Sequence, residues 1–331
     1  MQRRKLNLVP LHFYTTYPNK NCTIFDTSLS MKFGALPQDS LRGIDLSLPK
    51  EPVSNALVLP GVRACHPKFY IGAARWGHSS WAGKIYPAKT KASQFRELYP
   101  NYFSAVELNA THYKIYSPQV LAQWADAAKG KDFKFCPKFP QAISHYSNFK
   151  KTDAFTTEFL ESILAFENNL GPAFLQLSEN YSPLQKDELF AYLASLPKDM
   201  TFFLELRHPA WFANEKIKEE LFGKLRELKI GAVITDALGR RDVAHMHLTL
   251  PKLFVRFVCN SLHNSSLSRT NDWVQRLKHW IDAGLEEAYI FLHPGDDAAI
   301  PDLASYWINE TKKHCQLNLP NPALPQKTLF D

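Results

Sequence analysis

Two pairs of polar side chains interrupt apolar segments of this chain. Glu107 and Asn109 belong to the segment 105–109, and Glu205 and Arg207 have the same spacing in the segment 202–207. Because side chains of an extended chain alternate between two faces, the members of each pair share a face. A buried carboxylate requires a partner, and a crowded site shifts its pKa. We predict that Glu107 and Glu205 transfer protons and that Asn109 contacts the substrate; the alternative is a purely structural network.

Cationic side chains lie near the ends of three apolar segments, one of which is the segment 202–207. They are Lys138, Arg207 and Arg256. If they converge, they predict a small anionic ligand, since guanidinium groups match the geometry of phosphate and carboxylate. The alternative is that they neutralise the two glutamates and Asp236, which would balance three bases with three acids.

Asp236 ends another apolar segment and is our third candidate catalytic residue. It could orient a histidine, or it could cap the loop that follows. His208 and His293 are predicted to bind substrate, while His112 is a further possible metal ligand. No spacing typical of a metal site links these residues. We therefore predict no metal ligand and no cofactor; a divalent metal is possible but not favoured.

The loops after the first two segments bring aromatic and hydroxyl groups to the same region. Trp76, Thr111 and Tyr113 are predicted to bind substrate, with Trp76 and Tyr113 stacking on a sugar or a base. Packing within the loops is the alternative.

Several enzyme classes lack their signatures here. The fourth and seventh apolar segments end in Gln176 and Arg256, which excludes the common barrel glycosidase with carboxylates at those two positions. The chain has neither a P-loop nor a Gly-x-Ser-x-Gly elbow.

Eight short apolar segments, each followed by a helical pattern, must position these residues. They begin at residues 69, 105, 133, 173, 202, 231, 253 and 288. Eight β/α units in roughly 250 residues predict a single (β/α)8 TIM-type barrel, whose chemistry lies at the C-terminal ends of its strands. An open doubly wound sheet is the alternative, but the turn at residues 72–77 lacks its glycine spacing. Among the helices, we predict N-caps at Asn214 and Asn271.

The first 67 residues differ from the rest. They are rich in proline and show no sustained helical or alternating pattern of apolar residues, which predicts an irregular, partly flexible extension at 1–67. We predict the barrel at 68–316 and a loose tail at 317–331. Met31 is a possible alternative start. Residues 1–68 carry 9 Lys and Arg against 4 Asp and Glu, so most of the net charge of +7 resides there. A near-neutral barrel argues only weakly for nucleic acid.

The sequence predicts neither a membrane span nor a secretory signal. No apolar run reaches the length of a membrane span, and the basic N-terminus lacks the apolar region of a secretory signal. The five cysteines are scattered and odd in number. Together these features predict a cytoplasmic protein with reduced thiols and no membrane partner.

The motifs Glu-x-Asn-x-Thr-x-Tyr at 107–113 and Glu-x-Arg-His-x-x-Trp at 205–211 resemble those of the domain of unknown function 72 family (YecE-like). The resemblance extends over roughly residues 69–295 and implies a TIM-type barrel without assigning an activity. The chain departs from the family pattern at His112, where phenylalanine is usual. It also departs after Arg256, where Phe257, Val258, Cys259 and Asn260 replace the common Arg-x-His-Gly.

Three functions remain open from the sequence. The first is an enzyme, a hydrolase or lyase, acting by general acid/base chemistry on a phosphorylated or nucleic-acid-derived compound. The second is a nucleic-acid-binding or repair-associated barrel, and the third is a non-catalytic ligand-binding barrel. The sequence leaves the oligomeric state open.

Overall fold

Eight parallel strands with helices around them make up most of the described chain. A computed structural model describes residues 33–319. The predicted extension therefore falls partly outside the described residues, at 1–32, and so does most of the predicted tail, at 320–331. None of the helices in the range 33–319 is long and apolar enough to cross a membrane.

The strands form one sheet with the order β3-β2-β1-β8-β7-β6-β5-β4. Parallel bridges from Phe135 to Leu170 and from Lys138 to Phe174 join β3 to β4 and complete a nearly closed barrel. This arrangement confirms the predicted (β/α)8 fold. The strands are β1 (Lys68–Ala73), β2 (Ala105–Leu108), β3 (Lys134–Pro137), β4 (Ala173–Gln176), β5 (Phe202–Glu205), β6 (Gly231–Asp236), β7 (Lys252–Cys259) and β8 (Glu287–Pro294).

Helices surround the barrel, as the connections between parallel strands require. Asn214 caps one of them as predicted, its side chain accepting from the backbone N–H of Ile217 at 3.0 Å. The α-helices of the described chain are α1 (Phe95–Leu98), α2 (Ala110–Tyr113), α3 (Pro118–Asp126), α4 (Asp153–Ile163), α5 (Lys186–Ser195), α6 (Glu215–Leu228), α7 (Asn264–Asp282) and α8 (Ile300–Cys315).

The predicted start of α7 at Asn271 is wrong, because the helix begins seven residues earlier, at Asn264, and His263 caps it. The first two turns hide a polar face, with Ser266, Arg269 and Thr270 each 0% exposed. An apolar stripe was the sequence signal for this helix, and its first two turns do not carry one.

Alternation along the strands separates two cores. Outward side chains pack beneath the helices, and inward ones fill the lumen. The lower lumen is apolar and mostly aromatic, each buried phenylalanine contributing about 1.5–3 kcal/mol. The buried lumen residues are Tyr70, Ala105, Cys136, Phe174, Phe203, Val233, Phe254, Tyr289 and Phe291.

β1 and β2 approach each other closely at Gly72. A Cβ at this position would lie 1.8 Å from the carbonyl oxygen of Ala105, so only glycine fits. The hydroxyl of the buried Tyr99 links the same two strands, accepting from the N–H of Ala73 at 2.7 Å and donating to the Ala105 carbonyl at 3.0 Å.

Residues 33–67 form a strap that runs along the outside of the barrel beside α7. Apart from short 3-10 turns at Gln38–Leu41 and Val53–Leu57, the strap is irregular. It starts near the C-terminal ends of the strands, where Gly239 donates to the carbonyl of Gly34. It ends at the opposite face of the barrel, where Gly61 donates to the carbonyl of Ala283 at 2.8 Å.

Candidate active site

A polar layer lies above the aromatic lumen, at the C-terminal ends of the strands. We call this end of the barrel the mouth. Each residue of the layer is at most 9% exposed. The structure thus brings six predicted site residues to one place, from five different strands and the loops that follow them. The mouth cluster consists of Glu107, Lys138, Gln176, Glu205, Arg207, Thr235, Arg256 and His293.

Arg256 is the centre of the mouth cluster. Its Nε and Nη2 donate to the two oxygens of Glu107 at 2.9 and 2.8 Å, and its Nη1 donates to Oε2 of Glu205 at 2.7 Å. One guanidinium therefore joins both carboxylates in charge-assisted hydrogen bonds. Arg256 is 2% exposed, and each glutamate is 1% exposed.

Each carboxylate has further donors. Oε1 of Glu205 accepts from Nε of Arg207 and from the hydroxyl of Thr235, both at 3.0 Å. Oε2 of Glu107 accepts from Nε2 of His293 at 2.9 Å, where the histidine must donate because an ionised carboxylate can only accept.

These partners keep both glutamates ionised. Burial alone would raise the pKa of Glu107, but attraction to Arg256 and His293 outweighs it and holds that pKa well below its usual range. Burial opposes ionisation of Glu205 as well, yet Arg207 and Arg256 lower its pKa to about 2. Because carboxylates with such low pKa values are weak bases, the geometry favours a positioning role; proton transfer by Glu107 or Glu205 stays a prediction.

Lys138 has a different environment from the other cations of the mouth cluster. Its Nζ donates to Oε1 of Gln176 at 2.7 Å, and it lies 6.0 Å from the centre of the Phe174 ring. Among the described residues, no carboxylate oxygen lies within 4.0 Å of this amine. Burial, followed by repulsion from Arg256, lowers the pKa of Lys138 to about 7. An amine with that pKa exchanges protons readily at neutral pH.

Two histidines adjoin Lys138. His112 donates through Nδ1 to the carbonyl of Phe139 at 2.7 Å, and its ring meets that of His145 edge-on at a centroid distance of 5.0 Å. Burial and the charge of Lys138 lower the pKa values of His112 and His145 to about 3 and about 4. His145 lies on a short π-helix, Ala142–Tyr146, and the sequence analysis missed it because a lone histidine in a loop carries no pattern.

The strap covers part of the mouth. The ring of Phe33 lies 4.3 Å from the guanidinium carbon of Arg207 and 5.0 Å from that of Arg240. Arg240 also donates to the backbone carbonyl of Arg207 at 2.7 Å and binds Asp242 through two hydrogen bonds. Sequence reasoning missed both Phe33 and Arg240, since neither belongs to a strand-end pattern.

Asp236 does not join the mouth cluster, contrary to its predicted catalytic role. It is preceded by the inward-facing Thr235, so alternation turns it outward to α7. There its carboxylate accepts from Arg269 and from the indole N–H of Trp273 at 2.8 Å, and Arg241 forms a further ion pair. Burial is offset by Arg269 and Arg241, so the pKa of Asp236 lies below its usual value. These bonds join the end of β6 to α7.

Trp76 also lies away from the mouth cluster. Its ring packs edge-on against Tyr99, Trp124 and Phe135, at centroid distances of 5.7, 6.2 and 6.0 Å. Trp124 belongs to α3 and Phe135 faces outward from β3, so Trp76 fills the layer beneath the helices. The substrate contact predicted for it is replaced by the alternative, loop packing.

Some residues of the two family-like motifs lie at the mouth, and others lie in the loops that follow the strands. Asn109 donates to Glu107 at 2.9 Å, while the Thr111 hydroxyl bonds the carbonyls of Leu108 and Lys138 at 2.9 and 2.8 Å. Thr111 therefore fixes the loops after β2 and β3 rather than facing a ligand.

The remaining predicted residues lie at the rim. Tyr113 is 66% exposed and touches the ring of His112. His208 caps a turn through the N–H of Ala210 at 3.1 Å, and Trp211 of that turn donates to the carbonyl of Tyr181. This hydrogen bond uses Nδ1 of His208, and substrate binding by His208 stays a prediction.

The described residues contain no set of side chains arranged to bind a metal ion. No group of three or more His, Cys, Asp or Glu side chains in residues 33–319 could hold a metal ion. In the mouth cluster, both carboxylates face Arg256.

Comparisons with known proteins place the chain beside proteins of unknown function. It is 28% identical over 277 residues to the UPF0759 protein YecE of Escherichia coli, with 78% of this chain and 98% of that protein covered. A crystal structure of a DUF72 family protein from Enterococcus faecalis superposes with a TM-score of 0.56 at 16% identity, covering 78% of this chain and 99% of the other.

A DUF72 family protein from Thermotoga maritima gives a TM-score of 0.55 at 21% identity, covering 74% of this chain and 98% of the other. At these identities the two structures support the fold alone. The family described as "Protein of unknown function DUF72" matches residues 70–328. The chain therefore belongs to the DUF72 family.

Proposed function

We propose that this protein is an enzyme that acts at the barrel mouth on a small anionic substrate by general acid/base chemistry. The substrate carries a carboxylate or a phosphate, including the phosphate of a nucleic-acid-derived compound. Arg207 and Arg256 attract the anionic group, and the amine of Lys138 exchanges the proton. Glu107 and Glu205 fix the two guanidinium groups.

The charge balance of the mouth cluster carries this proposal. The sequence allowed three acids to neutralise Lys138, Arg207 and Arg256. Asp236, the third acid, is instead bound to Arg269 and Arg241 outside the lumen. Among the described residues of the lumen, two buried carboxylates then face the guanidinium groups of Arg207 and Arg256 and the amine of Lys138, which with a pKa of about 7 is partly protonated at neutral pH. The exposed Glu179 is a further acid whose charge acts on Arg207. A substrate anion would restore neutrality at a site where charge interactions are weakly screened.

Binding of inorganic anions tests the proposal. Thermal unfolding of the full chain is followed with phosphate, oxalate or sulfate against chloride at equal ionic strength. Stabilisation of about 2.7 kcal/mol is expected at 100 times the dissociation constant. Arg207→Gln should remove the effect, whereas Arg63→Gln, which loses an ion pair with Asp282 and a hydrogen bond to the Cys315 carbonyl far from the mouth, should keep it.

Equal melting temperatures in chloride and in all three test anions would refute the proposed anion site. Turnover is assayed separately, by mass spectrometry of a metabolite extract incubated with the wild type or with Lys138→Met. A compound that disappears only with the wild type supports catalysis. Anion binding with no turnover, and with affinity unchanged in Glu107→Gln and Glu205→Gln, would favour the non-catalytic ligand-binding barrel.

The nucleic-acid-binding hypothesis differs from this one in its salt dependence. A protein that tracks a phosphate backbone loses affinity steeply as salt rises, with a slope set by the number of phosphates contacted. The cations of the mouth cluster are at most 9% exposed, which suits one small anion better than a polymer. Filter binding of a DNA or RNA oligonucleotide between about 50 and 200 mM salt distinguishes nucleic-acid binding from binding of a small anion.

A further inference from the structure

We propose that Lys138 is a nucleophile that forms an imine with a small aldehyde or ketone carrying a carboxylate or phosphate. This inference rests on the proposed function and narrows its substrate class to anionic carbonyl compounds.

The partner of Lys138 suits an amine that reacts. A neutral amine donates one N–H to Oε1 of Gln176 and keeps its lone pair, whereas an amine paired with a carboxylate stays protonated. Two partly exposed lysines show the contrast: Nζ of Lys84 lies 2.5 Å from Asp302, and that of Lys186 lies 2.5 Å from Glu220. Lys138 is buried, and its partner is an amide.

Burial and the two guanidinium groups favour the neutral amine of Lys138, whereas Glu205 and Glu107 oppose it. The groups that face Lys138 are Arg256, Arg207, Glu205, Glu107, His112 and His145. The two guanidinium groups repel a protonated amine and attract the anionic end of a carbonyl compound. Lys138 is 7% exposed, so its amine lies in a site with little water, where an imine is protected from hydrolysis.

The chemistry balances without a further reactant. The nitrogen lone pair attacks the carbonyl carbon, the carbon–oxygen π electrons move to oxygen, and the oxygen takes up a proton to give a carbinolamine. The nitrogen releases a proton, the hydroxyl leaves as water after protonation, and a carbon–nitrogen double bond forms. Addition of water reverses each step and returns the free amine.

Reductive trapping tests the inference on the full-length protein. Glyoxylate and cyanoborohydride are added at pH 7, and the modified lysines are mapped by mass spectrometry. Lys134 begins β3, the strand that Lys138 directly follows, and donates to the backbone carbonyl of Asn168, so it serves as an internal control. We expect labelling of Lys138 at least about tenfold faster than that of Lys134, since the neutral fraction of an ordinary lysine is small at this pH.

Two further aldehydes separate this inference from the proposed function. Glycolaldehyde has the size of glyoxylate without its charge, and glycolaldehyde phosphate carries phosphate in place of carboxylate. Faster labelling of Lys138 by either charged aldehyde than by glycolaldehyde supports the inference and identifies the preferred anion. Equal labelling by all three overturns the anionic substrate class. Absence of labelling at Lys138, in a protein that phosphate still stabilises, overturns the imine and leaves the proposed function standing.

Variants and pH complete the test. Lys138→Met should abolish the fast label, whereas Lys134→Met should keep it. If Lys138→Met does not fold, the site-resolved rates of the wild type decide alone. Those rates should reach half of their maximum near pH 7 at Lys138, and a rate that instead rises with pH as steeply as at Lys134 would contradict the proposal.

Discussion

Replacement of Arg256 by methionine should change both the stability of the protein and its dependence on pH. Arg256 supplies three hydrogen bonds to Glu107 and Glu205, and each glutamate is 1% exposed. Methionine occupies the space but donates nothing. Removal of one partner from a buried ion pair costs about 3–5 kcal/mol, so we expect the free energy of unfolding at pH 7 to fall by about 4 kcal/mol.

The sign of the pH dependence gives the sharper test. In the wild type, the folded pKa of Glu205 is about 2, below its unfolded value. This shift contributes about 3 kcal/mol that is present above about pH 4.5 and is lost as the pH falls toward 2. In Arg256→Met, the group that does most to lower the pKa of Glu107 is removed, so burial raises that pKa. Protonation of Glu107 then relieves a buried charge that has lost its guanidinium partner, so the variant should become more stable as the pH falls from 7 toward 5.

Urea unfolding followed by tryptophan fluorescence at pH 7 and pH 5 measures both effects. Lys252→Met is the matched control, because Lys252 lies on the same strand, at its other end, and forms a half-buried ion pair with Glu287 at 3.2 Å. It should cost at most about 1 kcal/mol. Adding Glu107→Gln to Arg256→Met should restore part of the lost stability. A loss below about 1 kcal/mol at pH 7, or a variant that is less stable at pH 5 than at pH 7, would refute the reasoning.

Three shorter predictions concern other parts of the molecule. Gly72→Ala places a methyl group 1.8 Å from the Ala105 carbonyl and should cost more than about 4 kcal/mol or prevent folding, as urea unfolding or soluble yield will show. Asp236→Asn leaves Arg269, which is 0% exposed, without its charge partner and should cost about 3–5 kcal/mol while phosphate binding persists; loss of binding with unchanged stability would instead restore a catalytic role. Phe33→Ala uncovers the mouth and should strengthen the stabilisation by phosphate in the thermal assay, whereas an unchanged shift would show that the ring does not restrict access.

The sequence predicted the barrel and much of the mouth for one physical reason. Alternation of side chains along short strands puts Glu107 and Glu205 on the inward face, and a parallel barrel brings the ends of its strands together. The same rule applied to Asp236 would have turned it outward, because Thr235 takes the inward place. A charged group at the end of a strand therefore does not always face the lumen.

The remaining features depend on contacts that no local pattern contains. The partner of Asp236 is Arg269, which lies on a part of α7 whose buried face is polar and so escaped a search for apolar stripes. The amide partner of Lys138 comes from the next strand, and Phe33 comes from an irregular segment. Such pairings follow only once the chain has folded.

The strength of the barrel wall varies around its circumference. Beside α7 the strap adds a second layer, tied to the barrel from the mouth to the opposite face. Between β3 and β4 the wall closes only through separate bridges at Phe135 and Lys138. Amide hydrogens at that joint should therefore exchange with solvent sooner than those of β7 and β8, and Lys138, the amine proposed to react, lies at that joint.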